Sequence, residues 1–304
     1  METNKPTCLV LSGGHIKGIY MLGALHYLHI NGYLNNLSIF CGTSVGSIID
    51  YLLILGYTPI NILVYLSTNK IAHETMSLFN LIKNFGLYNY EIIDEHMKKL
   101  TFNKLTFIPT LQQLYDRTQK KLICITYNQT TKKTLYISHE THPNLSVLMA
   151  LRMSANMPLV FEQLYYNGEK YCDGGISDNF GVKNMDETLD KKEIILGIEI
   201  DNDCKVESVN KKEENNGFIN NIFSILNTPL IELYKLRNLK CSDRVKIVSL
   251  QSSDNTFFNF ELNVKYNMSL FSSGFSQMKV IYEGDKKDDE VYTFEDELKK
   301  YKKE

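Results

Sequence analysis

The 304-residue sequence has no surplus of charge of either sign: 33 Lys and Arg stand against 35 Asp and Glu, a net charge of −2. A protein held to DNA or RNA by counterion release needs a basic excess, so no nucleic-acid partner is expected. The six cysteines, at 8, 41, 124, 172, 204 and 241, include no CxxC pair, which removes the usual thiolate metal sites. No apolar run is long enough to span a bilayer, and the most apolar stretch, Ser47 to Tyr57, is interrupted by Asp50. Ahead of Ser12-Gly13-Gly14 stands only Cys8-Leu9-Val10-Leu11, far short of a signal-peptide apolar segment. Cys8, Cys41 and Cys124 lie in apolar runs where a free thiol packs as a small hydrophobe, and a reducing, cytoplasmic compartment is expected. Histidine is absent beyond residue 142; the seven are at 15, 26, 29, 73, 96, 139 and 142.

What is present describes a folded chain. At 43 % apolar and 22 % charged residues the sequence can bury a core, and its length allows one large α/β domain or two smaller ones. Thr7 to Ser12 reads as a buried strand ended by glycines, followed from Lys17 by Met21, Leu25 and Leu28 at helical spacing. Leu37 to Cys41 reads as a second strand that runs into Gly42-Thr43-Ser44-Val45-Gly46 and then a buried helix through Leu55. This β-α-β-α order predicts parallel strands with a right-handed crossover. Thr58 to about Leu100 reads as helical. Strands are predicted at Leu122–Tyr127, Thr134–Ser138, Glu193–Ile200 and Val245–Leu250, a hairpin at Tyr165–Tyr171 around Asn167-Gly168, and a helix at Ser146–Met153.

Gly42-Thr43-Ser44-Val45-Gly46 is Gly-x-Ser-x-Gly between a predicted strand and a predicted helix. That context suits a nucleophilic serine on a strained turn, although a glycine-flanked structural turn has the same letters. A serine nucleophile needs a base and oxyanion donors. The ordinary Ser-Asp-His order is excluded, because any acid near residue 173 has no histidine after it. His73, His96, His139 and His142 read as loop or surface residues. Gly13-Gly14-His15-Ile16-Lys17-Gly18 joins the first strand to its helix, where glycines let backbone N–H groups converge and the helix N-terminus favours negative charge. A dinucleotide fingerprint would need glycine at 15 and a P-loop would need Gly-Lys-Ser/Thr; neither is met. Asp173-Gly174-Gly175 follows the predicted hairpin and on its own reads as a turn former.

Taken together, these motifs resemble those of the patatin-like phospholipases, lipid acyl hydrolases with a Ser-Asp dyad. The resemblance covers roughly residues 7 to 200, with a weaker likeness around Phe260 to Gly274. Leu9 to Gly14 with Lys17-Gly18 is similar to the family's glycine-rich oxyanion loop, Gly42 to Gly46 to its nucleophile elbow, and Asp173-Gly174-Gly175 to its Asp-Gly-Gly/Ala motif. Arg152 to Pro158 resembles its Arg-x-Ser segment. One position departs: His15 stands where the family has a third glycine, though its backbone N–H remains.

The resemblance implies a three-layer α/β/α fold with a central, mostly parallel sheet. It makes Ser44 the nucleophile and Asp173 the proton acceptor, puts the N–H groups of Gly14, His15 and Val45 in the oxyanion hole, and needs no metal or cofactor. Gly13, Lys17, Gly18, Gly42, Gly46, Gly174 and Gly175 complete the motifs, with Lys17 a loop or helix-start residue or, alternatively, a phosphate contact. The implied activity is hydrolysis of fatty-acyl esters of phospholipids or related lipids; the alternative is a weakly active or inactive lipid-binding protein of the same fold. Such a substrate implies transient contact with membranes or lipid surfaces. Leu53–Leu66, Met76–Tyr88 and Phe218–Leu236 are apolar segments available for that contact or for core packing. Residues 7–200 are expected to form the catalytic core. Residues 201–284 would complete the domain, with a mobile loop at Asp201–Asn216 and the Phe218–Leu236 helix, and 285–304 would form a charged tail.

Overall fold

Strands buried on both faces read as continuous apolar runs, and Cys8–Leu11 is one, with all four residues 0 % exposed. In the computed structural model this segment lies inside the main sheet. The structure describes residues 5–14, 17–69, 86–201, 228, 232, 240–252 and 264–284. Their elements in chain order begin with β1 (Cys8–Leu11), α1 (Gly18–Ile30), β2 (Ile39–Thr43), α2 (Val45–Ile54), α3 (Pro59–Thr68) and β3 (Gly86–Tyr88). There follow α4 (Glu91–Leu105), α5 (Leu111–Thr118), β4 (Lys121–Asn128), β5 (Lys133–Ile137), α6 (Val147–Ala155) and β6 (Leu159–Phe161). The last are β7 (Leu164–Tyr166), β8 (Glu169–Asp173), α7 (Val182–Thr188), β9 (Ile195–Asp201), β10 (Val245–Gln251) and α8 (Val264–Glu283).

The main sheet has the order β10-β9-β1-β2-β4-β8-β7, with β5 on the other edge of β4. Pairs from β10 through β4 are parallel, and those of β4 with β5, β4 with β8, and β7 with β8 are antiparallel. Strand alternation sends Leu9 and Leu11 into a core shared with α1, α2, α6 and α8. Cys8 and Val10 face the opposite way, into a smaller core with Phe180, Val182 and Met185 around α7. The result is the expected α/β/α layering around a mostly parallel sheet. Helix α1 is buried from Gly18 to Leu28 because it is covered by α8 as well as by the sheet. The two helices touch through glycine: a Cβ on Gly23 would strike the Phe271 backbone, and one on Gly274 the Tyr20 backbone.

The register on β4 places the ends of two strands together. Residues Ile39–Thr43 of β2 pair with Lys121–Ile125, and Thr126 to Asn128 then pair with Asp173 to Tyr171 of β8. Because β5 occupies the opposite edge of Cys124 to Asn128, β2 and β8 share one edge and meet end to end. Thr43 is opposite Ile125, and Asp173 is opposite the next residue, Thr126.

The segment from Thr58 to Leu100, read as helical, contains α3 and most of α4, but Gly86–Tyr88 is a strand paired in parallel with β6. Helix α3 starts as its sequence demands: Thr58 and Asn61 form a reciprocal capping box with Pro59 in the first turn. Among the described residues no single helix is long and apolar enough to cross a membrane. The loop at 202–216, nearly all of the Phe218–Leu236 segment and the tail from 285 lie outside the described residues.

Candidate active site

Ser44 is the first residue after β2, and its backbone has φ 54° and ψ −124°, a left-handed conformation costly for a residue with a Cβ. Close packing around it requires its two glycines. A Cβ on Gly42 would run into the backbone of Gly46 and Ser47, and one on Gly46 would lie 2.7 Å from the carbonyl oxygens of both Leu11 and Ser12. The strained turn is fastened from both sides. Ser44 N–H donates to the Ser154 hydroxyl at 3.0 Å, and that hydroxyl donates to the Ile125 carbonyl at 2.7 Å. The Ser47 hydroxyl donates to the Ser44 carbonyl at 2.7 Å. Helix α2 opens at Val45, so the Val45 N–H belongs to the first turn, whose donors have no helical acceptor.

Asp173 ends β8 and is 6 % exposed. Its carboxylate accepts a hydrogen bond from Gly175 N–H at 2.7 Å and another from the Ser44 side chain. Burial pushes its pKa up to about 6, while those two hydrogen bonds pull the other way. Its own N–H donates to the Asn156 carbonyl at 3.0 Å, and Thr126 Oγ1 donates to the Met153 and Cys172 carbonyls, each at 2.8 Å. Strand β8 and helix α6 are thereby locked to β4.

The glycine loop after β1 packs against the serine: a Cβ on Gly13 would come 3.4 Å from Ser44 Cβ, and one on Gly18 would press on Val45. Gly13 N–H donates to the Asn179 carbonyl at 3.1 Å, leaving that amide engaged. Lys17 is buried and begins α1, with its N–H donating to the Gly14 carbonyl at 3.0 Å. Gly174 starts a short 3-10 turn packed on the Ile125 carbonyl. His15 lies outside the described residues. Ser44, Val45, Asp173 and Gly175 are thus in one place with Gly13 and Gly18.

Sequence reasoning missed two contributors. Ser154 occurred in a quoted motif with no role, and Asn179, whose side chain donates to the Gly13 carbonyl at 3.4 Å, carried no signal at all. One histidine also differs from expectation. His96 is on α4, not in a loop, with Nδ1 2.8 Å from the Tyr65 hydroxyl, and burial lowers its pKa.

A cavity of about 270 Å³ opens beside Ser44. Its walls come from α2, α3, α4 and the 155–161 segment and are predominantly apolar, with Ile48, Leu52, Ile93, Met97 and Val160 among them. A buried serine hydrogen-bonded to a carboxylate of raised pKa, at an apolar cavity, is an arrangement able to activate a hydroxyl.

Residues 9–186 match the family described as patatin-like phospholipase. The chain belongs to the patatin-like phospholipase family. It is 35 % identical over 183 residues to the "Probable lipid hydrolase 463L" of Invertebrate iridescent virus 6, covering 57 % of this chain and 61 % of that protein. It is 28 % identical over 281 residues to the "Uncharacterized protein R571" of Acanthamoeba polyphaga mimivirus, covering 89 % of this chain and 92 % of the relative. The crystal structure of VipD from Legionella pneumophila shares the fold at a TM-score of 0.51 and 17 % identity, over 91 % of this chain and 66 % of that one. The chain therefore spans just under two thirds of both 463L and VipD.

Proposed function

We propose that this patatin-like protein is a serine acyl hydrolase that cleaves fatty-acyl esters of phospholipids or related lipids through Ser44 and Asp173. The observation that carries the reading is the hydrogen bond between the strained Ser44 and the buried Asp173 carboxylate at the head of an apolar cavity. Ser44 Oγ attacks the ester carbonyl carbon while its proton passes to Asp173. The oxyanion is met by the N–H groups of Gly14, His15 and Val45. Collapse of the tetrahedral intermediate expels the alcohol, which takes the proton from Asp173, and leaves the acyl group on Ser44. Water, deprotonated by Asp173, then attacks the acyl-enzyme, and Ser44 leaves with the returned proton. A base with a pKa near 6 is largely ionised at neutral pH yet still basic enough to accept a proton in the transition state. No metal or cofactor has a part in this sequence. An ester-lipid substrate also calls for transient contact with a lipid surface, in the cytoplasm.

Ser44→Ala is expected to abolish hydrolysis of a phospholipid and of a p-nitrophenyl ester and to block covalent labelling by a fluorophosphonate. Lipid binding without labelling of the wild type would instead favour a non-catalytic lipid-binding protein.

A further inference from the structure

Two segments line the cavity beside Ser44 over matching lengths. Along α2 and its cap the residues facing it run from Ser44 through Ile48 to Leu52. The eight steps of helix from Ser44 to Leu52, at ~1.5 Å each, make a wall ~12 Å deep. On α4 the facing residues run from Ile92 through His96 to Leu100, again eight steps of helix. Tyr57 joins the far ends of both walls. Its N–H donates to the Leu52 carbonyl at 3.0 Å, holding it where the α2 wall stops, and its hydroxyl donates to the Leu100 carbonyl at 2.9 Å. Lys104 Nζ lies 4.7 Å from the centre of the same ring, bracing it from α4. At a similar level, the hydroxyls of Tyr51 and Thr101 meet at 2.9 Å and tie α2 to α4 a second time.

We propose that Tyr57 is the floor of an acyl-chain slot and makes the protein selective for acyl groups of about ten carbons. The proposal rests on the acyl-hydrolase reading above. A C–C bond of ~1.5 Å advances ~1.25 Å along an extended zigzag, so a ~12 Å slot takes about ten carbons. Further carbons either remain in water or displace a ring bonded to both walls.

Two measurements on the full chain test this separately from catalysis. One is calorimetric binding of saturated fatty acids of six to sixteen carbons, below their micellar concentrations. The other is hydrolysis of p-nitrophenyl esters of the same lengths by wild type and Ser44→Ala. Affinity is expected to rise about fourfold per added methylene up to about ten carbons and then level off, because only buried methylenes contribute. Tyr57→Ala extends the rise to longer chains. Tyr57→Phe keeps the ring and the wild-type limit, and Leu52→Phe lowers the limit, which decides the matter if Tyr57→Ala does not fold.

An unbroken rise to sixteen carbons in the wild type, or an unmoved limit in both folded Tyr57→Ala and Leu52→Phe, overturns the slot. Ser44-dependent hydrolysis with no length limit overturns the slot and leaves the hydrolase standing. A binding limit near ten carbons with no Ser44-dependent hydrolysis overturns the hydrolase and leaves the slot.

Discussion

Replacing Asp173 by Asn separates what the carboxylate does for chemistry from what it costs the fold. Burial raises its pKa from the ordinary 3.8 to about 6. Below pH 3.8 the folded and unfolded chains both hold the proton, and the residue contributes nothing to stability. As pH rises from there, the unfolded chain releases its proton first, so stability falls; above about 6 the full cost of ~3 kcal/mol, at 1.36 kcal/mol per unit, is in place. Asparagine cannot ionise. Its oxygen can still accept from Gly175 N–H, and its amide can donate to Ser44 Oγ, so no hydrogen-bond partner is orphaned. Asp50, another buried carboxyl with a raised pKa, is present in both proteins and cancels. Thermal unfolding from about pH 4 to about pH 8 should therefore find the two proteins nearly equal at the acid end, with Asp173→Asn ~3 kcal/mol more stable at the other, or roughly 5 °C in Tm. Ester hydrolysis by the variant should fall roughly 10³-fold, the usual scale for loss of a general base. A stability difference that does not change with pH refutes the raised pKa, and full activity in the variant refutes the dyad.

Ser154→Ala removes a hydroxyl that accepts from Ser44 N–H and donates to the Ile125 carbonyl. It should destabilise the fold by about 2 kcal/mol in urea unfolding and lower kcat by ~10- to 100-fold with little change in KM, because it misplaces the nucleophile without touching the cavity. Arg244 holds β10 to the end of α7: its Nε donates to Asp186 Oδ1 at 2.9 Å, and its Nη atoms reach the carbonyls of Asp186 and Asp190. Both side chains of this pair are mostly buried, so Arg244→Ala should cost about 3 kcal/mol in urea unfolding, with hydrolysis by the remaining folded fraction unchanged. The wild-type kcat/KM should rise with pH through about 6 and level off above it, which a pH–rate profile checks.

The strand-to-helix turn at Ser44 was legible because an apolar run ends at glycines that only a tight turn of this kind requires. The hairpin before Asp173 was legible for a similar reason: Asn167 and Gly168 both have positive φ, 50° and 80°, which suits Asn-Gly. By contrast, Gly86–Tyr88 is three residues long, too short for a period-two pattern, and it pairs with a strand far along the chain. The helical α5, with its Thr110–Gln113 capping box, lies in a stretch given no reading. His96 was misread because its place depends on α3 and α4 packing side by side, which no local pattern encodes. The grip of Ser154 on the serine amide and of Asn179 on the glycine loop likewise appears only when distant segments converge.

The shared edge of β4 fixes when Ser44 and Asp173 first come together. A growing chain that has laid β2 against β4 already possesses the serine elbow, but the remaining length of that edge is vacant until β8 returns and takes Thr126 to Asn128. Ser44 and Asp173 are therefore brought together by a long-range pairing, a kind of contact that waits on the closure of a long loop. A nascent, truncated or misregistered molecule without the β8 pairing has Ser44 but no Asp173 carboxylate beside it. On the proposed mechanism, only the completed fold would hydrolyse esters.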